Sequence, residues 1–264
     1  MQFDPLNPYL VFITRRQRAG GSKAVREKSR AAFAFLGKKE NMRTIVYVDG
    51  FNLYHRLLEK NPAVRWLDLK SLSQRLLDPT NNIIGIKYYT ARVSGALNPA
   101  TPGRQQVYLD ALGTIPEISI HFGSFIVSEK WAGLITPPKF LPKLPPGVVM
   151  PQPWPDVVKV RKIEEKGSDV NLACHLLLDA FLNNYDVAVV ISNDSDLVEP
   201  IRIVRHILGK PVGLFSPVPN PTPTLQGVAS FIRRIRHGDL THSQFPDPVI
   251  DPNGTAIQKP VTWV

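Results

Sequence analysis

Acidic residues stand at the ends of two apolar segments and at the start of an apolar helix. Asp49 follows the run 44–48, Asp194 follows the run 187–192, and Asp169 begins the helix predicted over 169–181. Carboxylate oxygens are the ligands that hard divalent ions such as Mg²⁺ and Mn²⁺ prefer. Such an ion can activate a water molecule and offset the charge of a phosphodiester during its hydrolysis. The residue types therefore indicate metal-dependent hydrolysis.

Further polar residues accompany these acids. Asp196 lies two residues after Asp194, and Asn52 lies three residues after Asp49, close enough to share the same site. Each aspartate taken alone could instead cap a helix, and Asp196 with Glu199 has the spacing of a capping box. One cap does not require two acids, however, and two nearby carboxylates repel each other unless a cation or a proton lies between them. Capping therefore explains the paired acids poorly.

Other site chemistries have less support in the sequence. The six histidines are scattered and Cys174 is the single cysteine, so we expect no zinc site, no internal disulfide and a reducing, cytoplasmic location. Cys174 itself is expected to be a core residue of the helix 169–181. A phosphatase or nucleotidase acting on small substrates is less favoured, because Asp49 is followed by Gly50 and Phe51 and not by the Asp-x-Asp pattern. No Gly-x-x-x-x-Gly-Lys phosphate loop is present.

From residue 43 onward, strand and helix patterns alternate, which predicts an α/β fold with a parallel sheet. The predicted strands are 44–48, 83–89, 118–127, 157–162, 187–192 and 211–215. The predicted helices are 51–59, 69–77, 103–112, 169–181, 197–208 and 225–236. Because ligands bind at the carboxyl edge of such a sheet, the acids that follow the strands should converge there.

The chain is expected to contain one domain, residues 42–237, between two tails. Residues 1–41 hold nine of the 32 basic residues against three acidic ones, so they contribute +6 of the net charge of +10. They are either a genuine basic tail, expected to be disordered, or lie upstream of a true start at Met42. Residues 131–156 hold eight of the 25 prolines and read as an inserted loop. This insertion is either a rigid connector or a flap whose tryptophans stack on bases. Residues 238–264 are expected to form a loose tail.

The basic balance favours polyanionic partners through contacts with phosphates. No apolar run approaches the roughly 18 residues of a membrane span. The apolar residues 9–13 precede the basic cluster instead of following it, which is unlike a signal peptide. We therefore expect a nucleic acid partner and no membrane contact, and we leave a homo-oligomer open.

Three motifs closely resemble those of the NYN domain, a group related to the PIN-domain ribonucleases that includes the bacterial LabA-like proteins. They are VYVDGFNLY (46–54), EEKGSDVNLA (164–173) and VAVVISNDSDL (187–197). The resemblance implies a PIN-like three-layer fold, with helices on both faces of a central parallel sheet. It also implies a hydrolase that cleaves single-stranded RNA with Mg²⁺ or Mn²⁺. RNA as the substrate rests on this resemblance and not on spacing or charge.

The resemblance also implies roles for individual residues. Asp49, Asp169 and Asp194 would hold the metal, with Asp196 alongside and Asn52 as a polar catalytic position. One departure is Asn171, because many members carry an acid at that place, which leaves the number of metal ions open.

Residues that could contact the substrate lie near these acids or in the last predicted helix. They are Lys166, Ser192, Ser195, Arg233 and Arg234. The two arginines could equally form a solvated helix face. The alternative function is a catalytically silent module of the same fold that binds RNA or a protein.

Overall fold

The computed structural model describes residues 41–93, 95, 99–135, 146–147, 149 and 153–264. The predictions for the N-terminal tail fall on residues 1–40, outside the described part. The described residues from Asn41 onward belong to one compact unit. Among the described residues, no helix combines the length and the apolar character needed to cross a bilayer.

Six parallel strands form the central sheet, in the order β3-β2-β1-β6-β7-β8. The strands are β1 (Met42–Asp49), β2 (Asn81–Thr90), β3 (Ile118–Phe122), β6 (Val187–Ile191), β7 (Val212–Ser216) and β8 (Phe231–Arg234). The predicted parallel sheet is confirmed. β1 and β6 lie at its centre and are buried at nearly every position, as expected of strands covered on both faces.

Successive side chains of β1 point to opposite faces of the sheet. Val46 and Val48 pack into one buried cluster, and Ile45 and Tyr47 pack into the other. Helices cover both faces, which confirms the predicted three-layer arrangement. They are α1 (Gly50–Leu53), α2 (Leu69–Leu76), α3 (Thr101–Gly113), α4 (Ser168–Phe181), α5 (Val198–His206), α6 (Pro223–Val228) and α7 (His237–Thr241). A π-helical turn, Tyr54–Leu58, extends α1, and a 3₁₀ turn, Ser195–Leu197, precedes α5.

Polar contacts of Asp179 link α4 to two strands of the central sheet. The hydroxyl of Tyr47 on β1 donates to Oδ2 of Asp179 on α4 at 2.6 Å, and Nζ of Lys87 on β2 lies 2.6 Å from the same oxygen. Buried charge is tolerated where it is paired and hydrogen-bonded in this way. The contact links α4 to two strands and so helps to set where its first turn, with Asp169, lies. On the opposite, solvent side of α4, Cys174 is exposed, so its predicted place in the core is wrong.

The predicted strand 118–127 is two strands that belong to different sheets. The chain leaves the central sheet at Gly123, where a Cβ would come within 2.6 Å of the carbonyl oxygen of Lys166. After Gly123, β4 (Ser124–Gly133) pairs antiparallel with β5 (Val157–Lys166) as a separate two-stranded arm. The predicted strand 157–162 therefore exists but lies outside the central sheet. The first residues of the predicted insertion, 131–133, belong to β4, and most of its prolines lie outside the described residues.

The predicted helix 225–236 is correct for residues 225–228 and wrong for the rest. α6 ends at Val228, and the residues that follow form β8, which extends the sheet beside β7. The ring of Phe231 occupies the space where a Cβ on Gly213 would stand, so the missing side chain on β7 makes room for this pairing. Arg233 and Arg234 are consequently strand residues at the sheet's edge, and the predicted helix face does not exist.

The predicted loose tail, residues 238–264, packs against the core instead. Leu240, Phe245, Val249 and Trp263 are buried in the same cluster as Val46. The indole ring of Trp66 lies 5.6 Å from the ring of Phe245 and 6.2 Å from that of Trp263. These side chains close one face of the domain, so the C-terminal residues are part of its hydrophobic core.

We expect Trp263→Ala to lower the free energy of unfolding by about 3 kcal/mol or more, because it removes a buried ring and leaves a cavity. Urea unfolding followed by circular dichroism measures this change. Trp131→Ala is the matched control, since Trp131 is 69% exposed and should change the value by less than about 0.5 kcal/mol. Equal effects of the two substitutions would contradict the packing of the C-terminal residues.

Candidate metal centre

The two central strands bring the first and third motifs together. β1 and β6 pair in parallel with Val48 opposite Ile191, so the residues that follow each strand emerge side by side. The hydroxyl of Ser192, just after β6, donates to Oδ2 of Asp49 at 2.8 Å. The chain order runs outward from β1 to β3 on one side and from β6 to β8 on the other. This reversal is the place where open α/β sheets bind their ligands.

Three of the predicted acids meet at this place. Carboxylate oxygens of Asp49, Asp169 and Asp194 all lie within 4.8 Å of one another. Asp49 is buried, whereas Asp169 and Asp194 are half-buried. They line a cavity of about 500 Å³, which we call the acidic cavity. Three convergent oxygens suit a small, hard divalent ion that keeps some ligand positions for water or substrate.

The turn after β1 holds the Asp49 carboxylate in place. Its Oδ1 accepts from the backbone N–H of Asn52 at 2.9 Å, so the predicted helix-capping contact exists alongside the cluster. Gly50 is required here, because a Cβ would lie 2.6 Å from the carbonyl oxygen of Tyr89 and 2.7 Å from the ring of Tyr88. The absence of a side chain lets the turn pass close to β2.

Asn52 and Asp194 are fixed through the loop after β6. The side-chain oxygen of Asn52 accepts from the backbone N–H of Asn193 at 3.1 Å. The backbone N–H of Asp194 donates to the hydroxyl of Ser192 at 3.0 Å. Ser192 therefore bridges Asp49 and Asp194, and Asn52 braces the loop between them.

Asp196 is not part of the cluster. It is exposed, and its backbone N–H donates to Oδ1 of Asp194 at 3.0 Å, so Asp194 is the residue that caps the following turn. The predicted capping box of Asp196 with Glu199 is wrong, because Glu199 pairs with Arg202. Asp194 therefore both caps this turn and belongs to the acidic cluster, a double role that the sequence spacing did not indicate.

Glu165 is a functional candidate that the sequence interpretation did not single out. It lines the acidic cavity, and its carboxylate accepts from the backbone N–H of Ser168 at 3.0 Å and from the Ser168 hydroxyl at 2.8 Å. It therefore holds the start of α4, one residue before Asp169. Its position three residues before Ser168 is a capping spacing that could have signalled this contact.

Other walls of the acidic cavity also escaped the sequence interpretation. They are formed by Phe51, His55, Arg56 and Phe125. The ring of Phe125 lies 5.8 Å from that of Phe51, edge to face. Phe51, His55 and Arg56 could have been found from their helical spacing after Asp49. Phe125 had no such signal, because only the departure of β4 from the sheet brings it here.

The predicted substrate contacts are dispersed. Ser192 is fully buried and bonded to Asp49, so in this structure it orients a carboxylate. Lys166 and Ser195 are exposed, and Nζ of Lys166 lies 3.8 Å from Oε1 of Glu164. Arg233 and Arg234 are exposed on β8, two strands away from β6, outside the residues that line the acidic cavity.

The clustering of these acids raises the pKa of two of them, Asp49 and Asp169. Burial, together with the charges of Asp169 and Asp194, raises the pKa of Asp49 to about 6, although hydrogen bonds from Asn52 and Ser192 lower it. Burial and then the charges of Asp194 and Glu165 raise the pKa of Asp169 above its usual range. Negative charge is therefore held at this site at a cost, and a cation would offset that cost.

Comparison with known proteins bears on this architecture. Residues 153–234 match the sequence model of the family described as the NYN domain. The predicted NYN resemblance is confirmed. The matched residues contain Asp169 and Asp194, and Asp49 reaches the same site from the earlier half of the sheet.

Two individual proteins are similar to this chain. One is 6-hydroxy-3-succinoylpyridine 3-monooxygenase HspA from Pseudomonas putida, 27% identical over 248 residues that cover 85% of this chain and 76% of the relative. The other is a crystal structure of a protein of unknown function from Vibrio parahaemolyticus. It is 14% identical, with a TM-score of 0.44 and coverage of 76% of this chain and 98% of that one.

We expect Mn²⁺ to bind more weakly as the pH falls below about 6, because a proton on Asp49 competes with the ion. The loss should approach about tenfold per pH unit if one proton is displaced. Isothermal titration calorimetry between pH 8 and pH 5 measures it. Glu199→Gln, an exposed substitution on α5, should keep the same profile. A constant affinity over this range would contradict the assignment.

We expect Asp49→Asn to stabilise the metal-free protein at pH 7.5 by on the order of 2 kcal/mol. The pKa of Asp49 is raised from 3.8 to about 6 on folding, so its favourable contribution is present below about pH 3.8 and is lost as the pH rises through about 6. The neutral amide avoids that loss.

Urea unfolding with EDTA at pH 7.5 and pH 4.5 tests this sign, and the gain should shrink at the lower pH. Asp110→Asn, at an exposed position of α3, is the control for a change of net charge. With saturating Mn²⁺ the order should reverse, because only the native site gains the binding energy. A destabilised variant at pH 7.5 without metal would contradict the electrostatic account.

Proposed function

We propose that this protein is a metal-dependent endoribonuclease that hydrolyses phosphodiester bonds in single-stranded RNA. The observation that carries the proposal is the convergence of Asp49, Asp169 and Asp194 oxygens within 4.8 Å at the carboxyl edge of the sheet. The NYN match supports it, because this family belongs among PIN-like nucleases. Two carboxylates brought together without a cation would repel, so the cluster itself favours metal binding.

In this proposal, Asp49, Asp169 and Asp194 hold a Mg²⁺ or Mn²⁺ ion. The ion would supply activation of a water molecule and neutralise charge on the phosphate. Ser192 and Asn52 keep the carboxylates in position through their hydrogen bonds. Glu165 adds negative charge at the same wall, which suits either a second ion or the orientation of water.

Substrate contacts are proposed for exposed residues around the cavity. Arg56 lines it and brings a positive charge to its mouth, where a phosphate on either side of the scissile bond could bind. Lys166 and Ser195 are exposed and close in sequence to Asp169 and Asp194, so they stay candidates for the same role. Arg233 and Arg234 could bind only a more distant part of the RNA. A cytoplasmic location and homo-oligomerisation stay predictions.

A second candidate function is an activity on a small aromatic molecule. It is favoured by the name of the Pseudomonas putida relative, a monooxygenase of a substituted pyridine, which is similar over 85% of this chain. An aromatic-lined cavity beside the acidic one also suits such a substrate. The acidic cluster and the NYN match favour the nuclease. A catalytically silent module that binds RNA or a protein is the remaining alternative.

We expect purified protein to cleave a fluorescently labelled single-stranded RNA with Mn²⁺ or Mg²⁺ and to stop when EDTA is added. Asp194→Asn should lower the rate by about 100-fold or more, because removing a ligand forfeits several kcal/mol of charge stabilisation. Glu199→Gln removes an exposed acid nearby and should keep the native rate. Cleavage at full rate in Asp194→Asn would refute the assignment. Metal binding without cleavage would favour the other candidates.

A further inference from the structure

A second cavity adjoins the acidic one. It has a volume of about 320 Å³, and both cavities are lined by Phe51, His55 and Phe125. The side chains of these three residues therefore form a wall that the two cavities share. We call the second cavity the aromatic pocket. Its size lies at the lower end of the roughly 300–1,000 Å³ typical of small-ligand sites.

Seven aromatic rings line the aromatic pocket: the imidazole of His55 and the rings of Phe51, Tyr54, Tyr88, Tyr108, Phe125 and Trp263. Tyr88, Tyr108 and Trp263 are buried, and their packing is mutual. The ring of Tyr108 lies 6.3 Å from that of Tyr88 and 6.1 Å from that of Trp263. The Tyr108 hydroxyl donates to the carbonyl oxygen of Leu67 at 2.8 Å, which fixes the ring further. Fixed aromatic walls favour a planar, aromatic ligand.

Two arginines add polar groups to these walls. The guanidinium of Arg65 already donates to the carbonyl oxygens of Leu58 and Glu59, so Arg104 is the candidate for contacting a ligand. The guanidinium of Arg65 lies 5.6 Å from the centre of the Tyr54 ring, and Nη2 of Arg104 donates to the Thr101 hydroxyl at 3.1 Å. A guanidinium offers only N–H donors. It therefore matches the edge of guanine that presents O6 and N7 and the edge of uracil that presents O4. Adenine and cytosine present an amino group at the corresponding position, which a guanidinium matches poorly.

One wall of the pocket is held by the amide of Gln105 on α3. Its Nε2 donates to the carbonyl oxygen of Ala91 at 2.9 Å, and its Oε1 accepts from the backbone N–H of Val93 at 3.0 Å. These bonds place the Val93 side chain at the wall of the pocket. Val93 is thus a position where a larger side chain would fill the space without touching the acidic cluster.

We propose that the aromatic pocket binds the base of the RNA nucleotide next to the phosphate held at the acidic cavity, with guanine and uracil preferred. The position of that phosphate rests on the proposed nuclease function. A nucleotide joins an aromatic ring to a phosphate within one short unit, and the two adjoining cavities offer a place for each.

The first test is binding, measured by calorimetry with guanosine, uridine, adenosine and cytidine 5′-monophosphates in the presence of Mg²⁺. We expect the guanosine and uridine nucleotides to bind about tenfold or more tightly than the other two. Val93→Trp should weaken binding of the preferred nucleotides by about tenfold or more by filling the pocket. Val157→Trp, at an exposed position of β5, should not change it.

Arg104→Leu separates ring binding from recognition of the ring edge. It should bring the four affinities close together while retaining a measurable affinity. A thermal unfolding curve for each variant establishes that it is folded. Val93→Trp or Arg104→Leu proteins that bind all four nucleotides as the native protein does would overturn the proposal.

The second test keeps this proposal distinct from the nuclease. The ends of the products from a random single-stranded RNA are sequenced, and we expect guanine or uracil at the position next to the cut. Cleavage with no base preference in both native protein and Val93→Trp would refute the pocket and leave the nuclease standing. Selective nucleotide binding without cleavage would support base binding in the aromatic pocket and refute the nuclease activity. Benzoate that binds as tightly as guanosine monophosphate and displaces it would make the pocket a site for small aromatic acids, against the proposal.

Discussion

The parallel pairing of β1 with β6 is the constraint on which the rest of this molecule depends. Both strands are buried on both faces, so their branched apolar side chains hold them in one register, with Val48 opposite Ile191. That register places Asp49 beside Ser192 and delivers Asp194 two residues later. A slip of one residue would exchange the side chains of a strand between the two buried faces, which would disturb the packing of both layers and separate the acids. Core packing and site geometry are therefore the same requirement.

The acidic cluster lowers the stability of the metal-free fold in exchange for a place where a cation can bind. A carboxylate as buried as that of Asp49 loses hydration, and two neighbouring carboxylates add repulsion. Local hydrogen bonds from Asn52 and Ser192 offset part of this cost, and the apolar layers on both faces of the sheet supply the rest of the stability. Replacing these carboxylates would make the metal-free protein more stable, but the same carboxylates are the ligands that a cation needs. This pattern is expected of a binding site and not of a structural core.

The turn after β1 contributes residues to both cavities. Asp49 faces the acidic cavity, whereas Gly50 lines the aromatic pocket and Phe51 lines both cavities. Gly50 permits this because the turn passes within contact of Tyr88 and Tyr89. The arm formed by β4 and β5 then contributes Phe125 and Glu165 from the opposite side. The NYN match ends before the C-terminal residues that contribute Trp263, so the aromatic pocket includes a part of the chain outside that match.

Local sequence patterns determined the parallel sheet, most of the helices and the three motifs that carry Asp49, Asp169 and Asp194. These patterns are legible because buried strands and amphipathic helices have distinct periods, and because capping alone does not account for several acids near one edge of a sheet. Tertiary structure decided what depends on partners distant in sequence. It left Asp196 exposed and outside the group of three convergent carboxylates, made 231–234 an edge strand by pairing it with β7, and buried Trp263 against Trp66. It also brought Phe125 and Glu165 to the site through the arm formed by β4 and β5. The periodicity of the sequence does not indicate where this arm leaves the central sheet.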